Sequence, residues 1–423
     1  MAKIHELQPK RIFKIGSKKT HMDNMNQAPQ GGMGSTAKWI IGIIVIAVIV
    51  WGLMAANKNK NGSETTTKSE EKVQLPAVIK LGSIQSMTGD AAVYGEAFKK
   101  VMALAIDEIN NSGSLGNSKI ELVLEDGKCN GKDATSAAQK LVNVDKVAFI
   151  LGGVCSSESL AAAPIAAAGK VTIGSNASTN PSLTGISPYF FRIPPSDNDQ
   201  GTIDGQVATK QGYKKIAAIS EQTDYAEGLV KVFGDEFSKS GGEIIVERYQ
   251  QNALDFRTQL TKLKATNPDA LFINTSGPEP AKKIIKQLKD LGWKPKVFLN
   301  ESNSADTDFL NAEKDFLEGA FAVEYKIDQE NGKFKNLAAN YKQKYGADLQ
   351  LANFSAGTYD LVYLFAEGVK AVGYDGEKLA AWTRTINNWQ GATGLVTIKS
   401  DGDNSSTYIA TVVKGGKLEP LPK

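Results

Sequence analysis

The residues best suited to chemistry cluster at 150–184, which reads ILGGVCSSESLAAAPIAAAGKVTIGSNASTNPSLT. An apolar run at 147–151 stops at Gly152-Gly153, and an Ala-rich helical pattern begins near Ser157. That is the pattern of a strand turning into a helix. Cys155, Ser156 and Ser157 then occupy the first positions of the helix. N–H groups there have no internal acceptor and favour a negative group, such as a ligand carboxylate. A second apolar run, 171–173, opens into Gly174-Ser175-Asn176-Ala177-Ser178-Thr179. Taken singly, Ser156 also reads as an ordinary N-cap and Ser178-Thr179 as an ordinary turn. In tandem, two strand ends present hydroxyls and free amides side by side, at the sheet edge where open α/β folds bind ligands.

The composition narrows that chemistry. Both histidines, His5 and His21, lie in a basic amino-terminal tail. The body therefore has no Ser-His or Cys-His nucleophile and no His-based metal site, and two cysteines cannot build a Cys-rich one. No catalytic residue, cofactor or metal is expected, and the body reads as a non-enzyme. The chain carries a net +3, but residues 1–38 hold seven Lys and Arg against two acids, which leaves the remainder at −2. A near-neutral body offers no nucleic-acid surface.

The elements that must position the site follow in order. Residues 1–38 are polar and basic and are expected to form a disordered cytoplasmic tail. The uncharged run 39–56, bounded on the inside by Trp39 and carrying Trp51, spans about 27 Å as a helix, close to a bilayer's hydrocarbon thickness. A cleaved signal peptide is the alternative; the long lead and the missing small-x-small site favour an uncleaved anchor with the body outside. Residues 57–76 read as a flexible tether. From 77 onward strand and helix patterns alternate, with Phe98, Val101, Met102, Ala105, Ile106 and Ile109 marking one amphipathic helix. A second run has strands expected at 216–220, 243–246, 270–274 and 297–299, separated by helices. Helical patterns then dominate to 372, and short strands close the chain at 395–398 and 408–413. Such βαβα order predicts an α/β fold of two doubly wound, Rossmann-like lobes.

The stretch around Cys155-Ser156-Ser157, with its following Ala177-Ser178-Thr179-x-Pro-x-Leu-Thr segment, closely resembles the amino-terminal lobe of periplasmic leucine/isoleucine/valine-binding proteins. These are type I solute-binding subunits of ABC importers. The resemblance spans nearly all of 77–423. It implies lobe one at 77–195, lobe two at 196–320, returning lobe-one helices at 321–394 and closing strands at 395–423 assigned to lobe two. The hinge crossings are expected at Pro194-Pro195 and at 319–325.

By the same resemblance, Ser156 meets a ligand α-carboxylate, the Ala177 carbonyl accepts from the α-ammonium, and Thr179 contributes its amide and hydroxyl beside Ser178. Tyr94 falls in the first ligand loop, though it equally reads as a packing tyrosine. Tyr225 maps to a ligand-facing tyrosine, with Ala226 in place of the usual glycine. Ser276 makes a small polar wall. Glu301 lies one residue from the register of an ammonium-binding carboxylate and equally reads as a solvated loop acid. Cys129 and Cys155 match a lobe-one disulfide, reduced buried thiols being the alternative. The implied function is extracytoplasmic capture of an amino acid, branched-chain first, for delivery to an ABC permease. A sensing module that signals to a partner is the rival.

Overall fold

A computed structural model describes residues 74–421. The expected tail at 1–38, the apolar run at 39–56 and the tether up to 73 lie outside the described residues. Among the described residues, no helix is long and apolar enough to cross a membrane.

The first lobe is built on β1 (Val78–Gln85), β2 (Lys119–Asp126), β3 (Phe149–Leu151), β4 (Thr172–Ser175) and β5 (Phe190–Arg192). They form one parallel sheet in the order β2-β1-β3-β4-β5. Both faces of a parallel sheet must be covered, and the helices alternate between them. On one face α1 (Ala92–Ser112) packs with the later helices α11 (Gly332–Tyr345) and α12 (Ala352–Val372) through Val101, Ala105, Leu361 and Phe365. On the other, α2 (Gly131–Asn143) and α3 (Ser156–Ala168) bury Ala138, Leu141, Ala162 and Ala166. A last helix, α13 (Gly376–Thr383), completes this lobe.

The second lobe repeats the plan. Its sheet runs β14-β13-β10-β9-β8-β6-β7, from β6 (Lys215–Glu221), β7 (Glu243–Tyr249), β8 (Ala270–Asn274), β9 (Lys296–Leu299), β10 (Phe321–Tyr325), β13 (Tyr408–Lys414) and β14 (Lys417–Pro420). The first five strands are parallel; β13 and β14 add antiparallel to the edge. Helices α4 (Asp197–Lys210) and α5 (Asp224–Ser238) cover one face, α6 (Arg257–Ala265) and α7 (Pro278–Asp290) the other. Three short helices, α8 (Glu301–Ser304), α9 (Thr307–Ala312) and α10 (Lys314–Leu317), lead into β10.

Two segments depart from the boundaries read in the sequence. Residues 321–325 are a full strand of the second sheet, so the chain returns to lobe one only after Tyr325. The 395–398 segment stays with lobe one: β12 (Leu395–Val396) pairs with β11 (Trp389–Gln390), and Val396 and Ile398 join the core beneath α12. In both cases tertiary pairing, which local pattern does not carry, decides the placement.

Three crossings lie side by side between the lobes. Asn404 Nδ2 and Ser406 Oγ both donate to the Ile193 carbonyl, at 2.9 and 3.3 Å, and the Lys326 amide donates to Thr407 O at 3.1 Å. Their anchor is Arg192, fully buried. Its Nε donates to Asp403 Oδ1 at 2.7 Å, Nη1 to Asn180 O at 2.9 Å and Nη2 to Thr184 Oγ1 at 2.8 Å.

Removing one partner of a buried pair strands the other charge, so Asp403→Ala should lower the unfolding free energy by about 3–5 kcal/mol in urea titrations. A loss under about 1 kcal/mol would show that Arg192 finds other compensation. Cys129 and Cys155 form a disulfide across 26 positions. The double Cys→Ser variant should lose roughly 3 kcal/mol on chain-entropy grounds. Equal melting temperatures of the wild type with and without reductant would contradict it.

Candidate functional site

The carboxyl ends of the two sheets face one another, and a cavity with an empty volume of about 410 Å³ lies between them. Lobe one supplies Tyr94, Ser156, Ala177 and Thr179 to its walls; lobe two supplies Tyr225, Ser276 and Glu301. Seven of the eight ligand residues expected from the sequence therefore meet in one place. Ser178 is the exception. Its hydroxyl turns into the protein, bonding the carbonyls of Gly153 (2.8 Å) and Val154 (3.2 Å) and lying 2.7 Å from Ser159 Oγ. It braces the two strand ends against each other.

The α3 end of the cavity is shaped by a carboxylate that never reaches it. Glu158, buried in the first turn, accepts from the backbone amides of Cys155 and Cys129, each at 2.9 Å, and from Ser86 Oγ at 3.0 Å. It fits because Gly127 and Gly153 leave room: a Cβ on either would stand 2.3 Å from Glu158 atoms. Burial pushes its pKa up to about 7, against the pull of those donors. The loop before α3 is thereby held in place, and the disulfide ties the same two loops covalently.

Ser156 stands at the first position of α3, almost fully buried, and its Oγ accepts from the Asn180 amide at 3.2 Å. A hydroxyl that accepts from the protein keeps its own proton for an external acceptor. Thr179 is the complement. Its Oγ1 donates to Asp197 Oδ2 at 2.9 Å, leaving lone pairs to accept. One wall of lobe one thus offers a donor and an acceptor, as a zwitterion requires.

In lobe two, Thr223 caps α5 by accepting from the Ala226 amide, which sets Tyr225 in the first turn. Thr223 Oγ1 also lies 3.1 Å from Ser276 Oγ. Glu301 is 2 % exposed, which overturns its reading as a solvated loop acid. Its Oε1 accepts from the Tyr325 amide (2.9 Å) and Asn353 Nδ2 (3.0 Å), so it also touches the chain at a lobe crossing. Burial, with Asp197 nearby, holds its carboxyl well above the ordinary range. A cationic ligand group would offset that cost.

Tyr94 serves both readings given to it. Its ring packs edge-on against Phe98 and Phe354, and its hydroxyl donates across the cleft to Ser302 O at 2.5 Å. The lobes also meet where Asn180 Nδ2 donates to Asp224 O at 2.5 Å. The sequence reading missed Val154, Ser302 and Phe354 as wall residues. Phe354 arrives on α12, whose apolar pattern signals packing; only the fold brings its first turn to the cleft. No cluster of His, Cys, Asp and Glu able to hold a metal occurs among the described residues.

Comparison with known proteins bears on the fold and the family. The family described as periplasmic binding protein matches residues 78–417. The leucine-, isoleucine-, valine-, threonine- and alanine-binding protein of Pseudomonas aeruginosa is 27% identical over 329 residues, 77% of this chain and 87% of the relative. The crystal structure of a leucine-binding protein from Thermotoga maritima superposes with a TM-score of 0.73 at 28% identity, covering 81% of this chain and 98% of its own. A solute-binding protein of an ABC transporter from Rhodopseudomonas palustris, in complex with 3,4-dihydroxybenzoic acid, gives 0.70 at 26% identity, with 82% and 96% covered. With the match running from β1 into β14, the chain belongs to the periplasmic binding proteins, and within them to the type I group that includes the leucine/isoleucine/valine-binding proteins.

Proposed function

We propose that this chain is the extracytoplasmic solute-binding component of an ABC importer and that its solute is an amino acid. The observation that carries the reading is the pairing within one cavity of Ser156, a free donor at a helix N-terminus, with the acceptors Thr179 and Glu301. An α-carboxylate at the first and an α-ammonium at the others would leave no charged end unmatched, where burial without partners costs several kcal/mol per group. The Ala177 carbonyl adds an acceptor beside the ammonium. Tyr94, Val154 and Phe354 receive the side chain. Branched-chain amino acids are the first class to test, because the Pseudomonas aeruginosa relative carries them in its name.

The ligand docks on lobe one; the lobes then close about the three crossings, and Tyr94 OH reaching Ser302 O seals the cleft. A permease reads the closed form. The body performs no catalysis in this reading, and residues 39–56 anchor it to the membrane with the amino terminus inside.

A second reading, capture of an aromatic carboxylate, is favoured by the three rings of Tyr94, Tyr225 and Phe354 in the wall. The Rhodopseudomonas palustris relative in complex with 3,4-dihydroxybenzoic acid supports that reading. The two differ at the ammonium. A thermal-shift screen of the purified chain, cleared of copurified ligand, should show stabilisation by L-amino acids and none by benzoates, since a ligand specific to the native state raises the melting temperature. The reverse result would install the aromatic reading.

Ser156→Ala and Thr179→Ala should each weaken amino-acid binding by about 1–3 kcal/mol in calorimetric titration. Unchanged affinity in both variants would remove these hydroxyls from the site.

A further inference from the structure

A second, larger cavity adjoins the first between the lobes, with an empty volume of about 650 Å³. Thr88, Asp90 and Cys129 line it from lobe one, Glu221, Asn252 and Ser276 from lobe two. The two cavities share walls. Ser276 lines both, and of the disulfide's two halves Cys155 faces the first cavity and Cys129 the second. Because Ser276 carries only a hydroxymethyl group, the partition is thin on the lobe-two side.

Several polar groups around this chamber are matched, but one buried carboxylate is not fully so. Asp90 accepts from the Asn252 amide at 3.1 Å and lies 3.5 Å from Lys283 Nζ. Lys128, on the rim, pairs with Asp133 at 3.1 Å. Glu221, the last residue of β6, is 0 % exposed. Its Oε2 accepts from the Ser276 amide at 2.6 Å, but its Oε1 is buried with no hydrogen-bond partner among the described residues. The residue paired with it in β7, Tyr249, is 3 % exposed, and its hydroxyl is unpartnered too. A buried carboxylate oxygen without a donor is costly, and a cationic donor beside it would offset that cost.

We propose that this second chamber receives the distal ammonium or guanidinium of an amino-acid ligand whose α-carboxylate and α-ammonium occupy the first cavity, with Glu221 Oε1 as the acceptor. The methylene chain passes between Ser276 and the disulfide, so the ligand reaches farther than leucine, isoleucine or valine can. The inference rests on the amino-acid reading of the first cavity and narrows it to a cationic side chain.

The test is calorimetric titration of the purified chain with L-lysine, L-arginine and L-norleucine, the last matching lysine's carbon chain without its ammonium. Lysine or arginine should bind at least tenfold more tightly than norleucine. Glu221→Gln, and independently Ser276→Phe, which fills the passage, should bring the ratio to within about threefold. Norleucine binding as tightly as both cationic ligands would overturn the second chamber while keeping amino-acid capture. A preference that survives both substitutions would overturn the role of Glu221. Failure of all three ligands, and of every other α-amino acid, would overturn both readings together.

Discussion

The guanidinium of Arg192 is the point on which the two-lobe arrangement turns. A charge buried this completely is tolerable only when it is paired and hydrogen-bonded, and its partners come from two segments far apart in sequence, 180–184 and Asp403. Asp403 lies just before the last crossing, Asn180 beside the ligand wall, and Thr184 in the loop after it. The ion pair therefore holds the final crossing against lobe one, next to the residues that would grip a ligand. Any relative motion of the lobes would have to be absorbed beyond this clamp, in the short extended stretches after Ile193, Tyr325 and Asn404.

The chemistry of the cleft is divided between the lobes. Lobe one presents its groups on a frame fixed twice, by Glu158 gathering the amides of Cys129 and Cys155 and by the disulfide between the same residues. Lobe two contributes Tyr225, Ser276 and Glu301 from the starts of helices and the ends of strands. A ligand in the cleft would therefore meet groups from both lobes at once.

Much of this was legible beforehand, for identifiable reasons. Strands such as 216–220 and 270–274 are short apolar runs ended by polar residues, and the amphipathic spacing from Phe98 to Ile109 admits only one helix face. Tyr94, Ala177, Tyr225, Ser276 and Glu301 came from the resemblance to the leucine/isoleucine/valine-binding proteins, whereas Ser156 and Thr179 were visible because each stands at a strand end or helix start, where local pattern predicts an edge. Ser178 misled for the same reason: position places it at the edge, but side-chain direction along an irregular turn is not encoded in spacing. Phe354 was hidden within a helix that looks like core. The segment 319–325 reads as a hinge because the membership of its strand depends on β9 and β13, distant in sequence.

The three crossings also decide how the protein would respond to a protease. A cut after Ile193 leaves all five strands of the first sheet on one fragment, while α11 and α12, which complete that lobe's core, remain on the other with the whole second lobe. Phe149 of β3 still packs against Phe365 of α12, with ring centroids 5.1 Å apart, and nothing in that contact depends on the severed bond. Fragments interleaved in this way separate only if a hydrophobic core is opened. Nicking at the waist would therefore leave a two-piece molecule with its cleft assembled, where a pair of domains strung on a single linker would simply part.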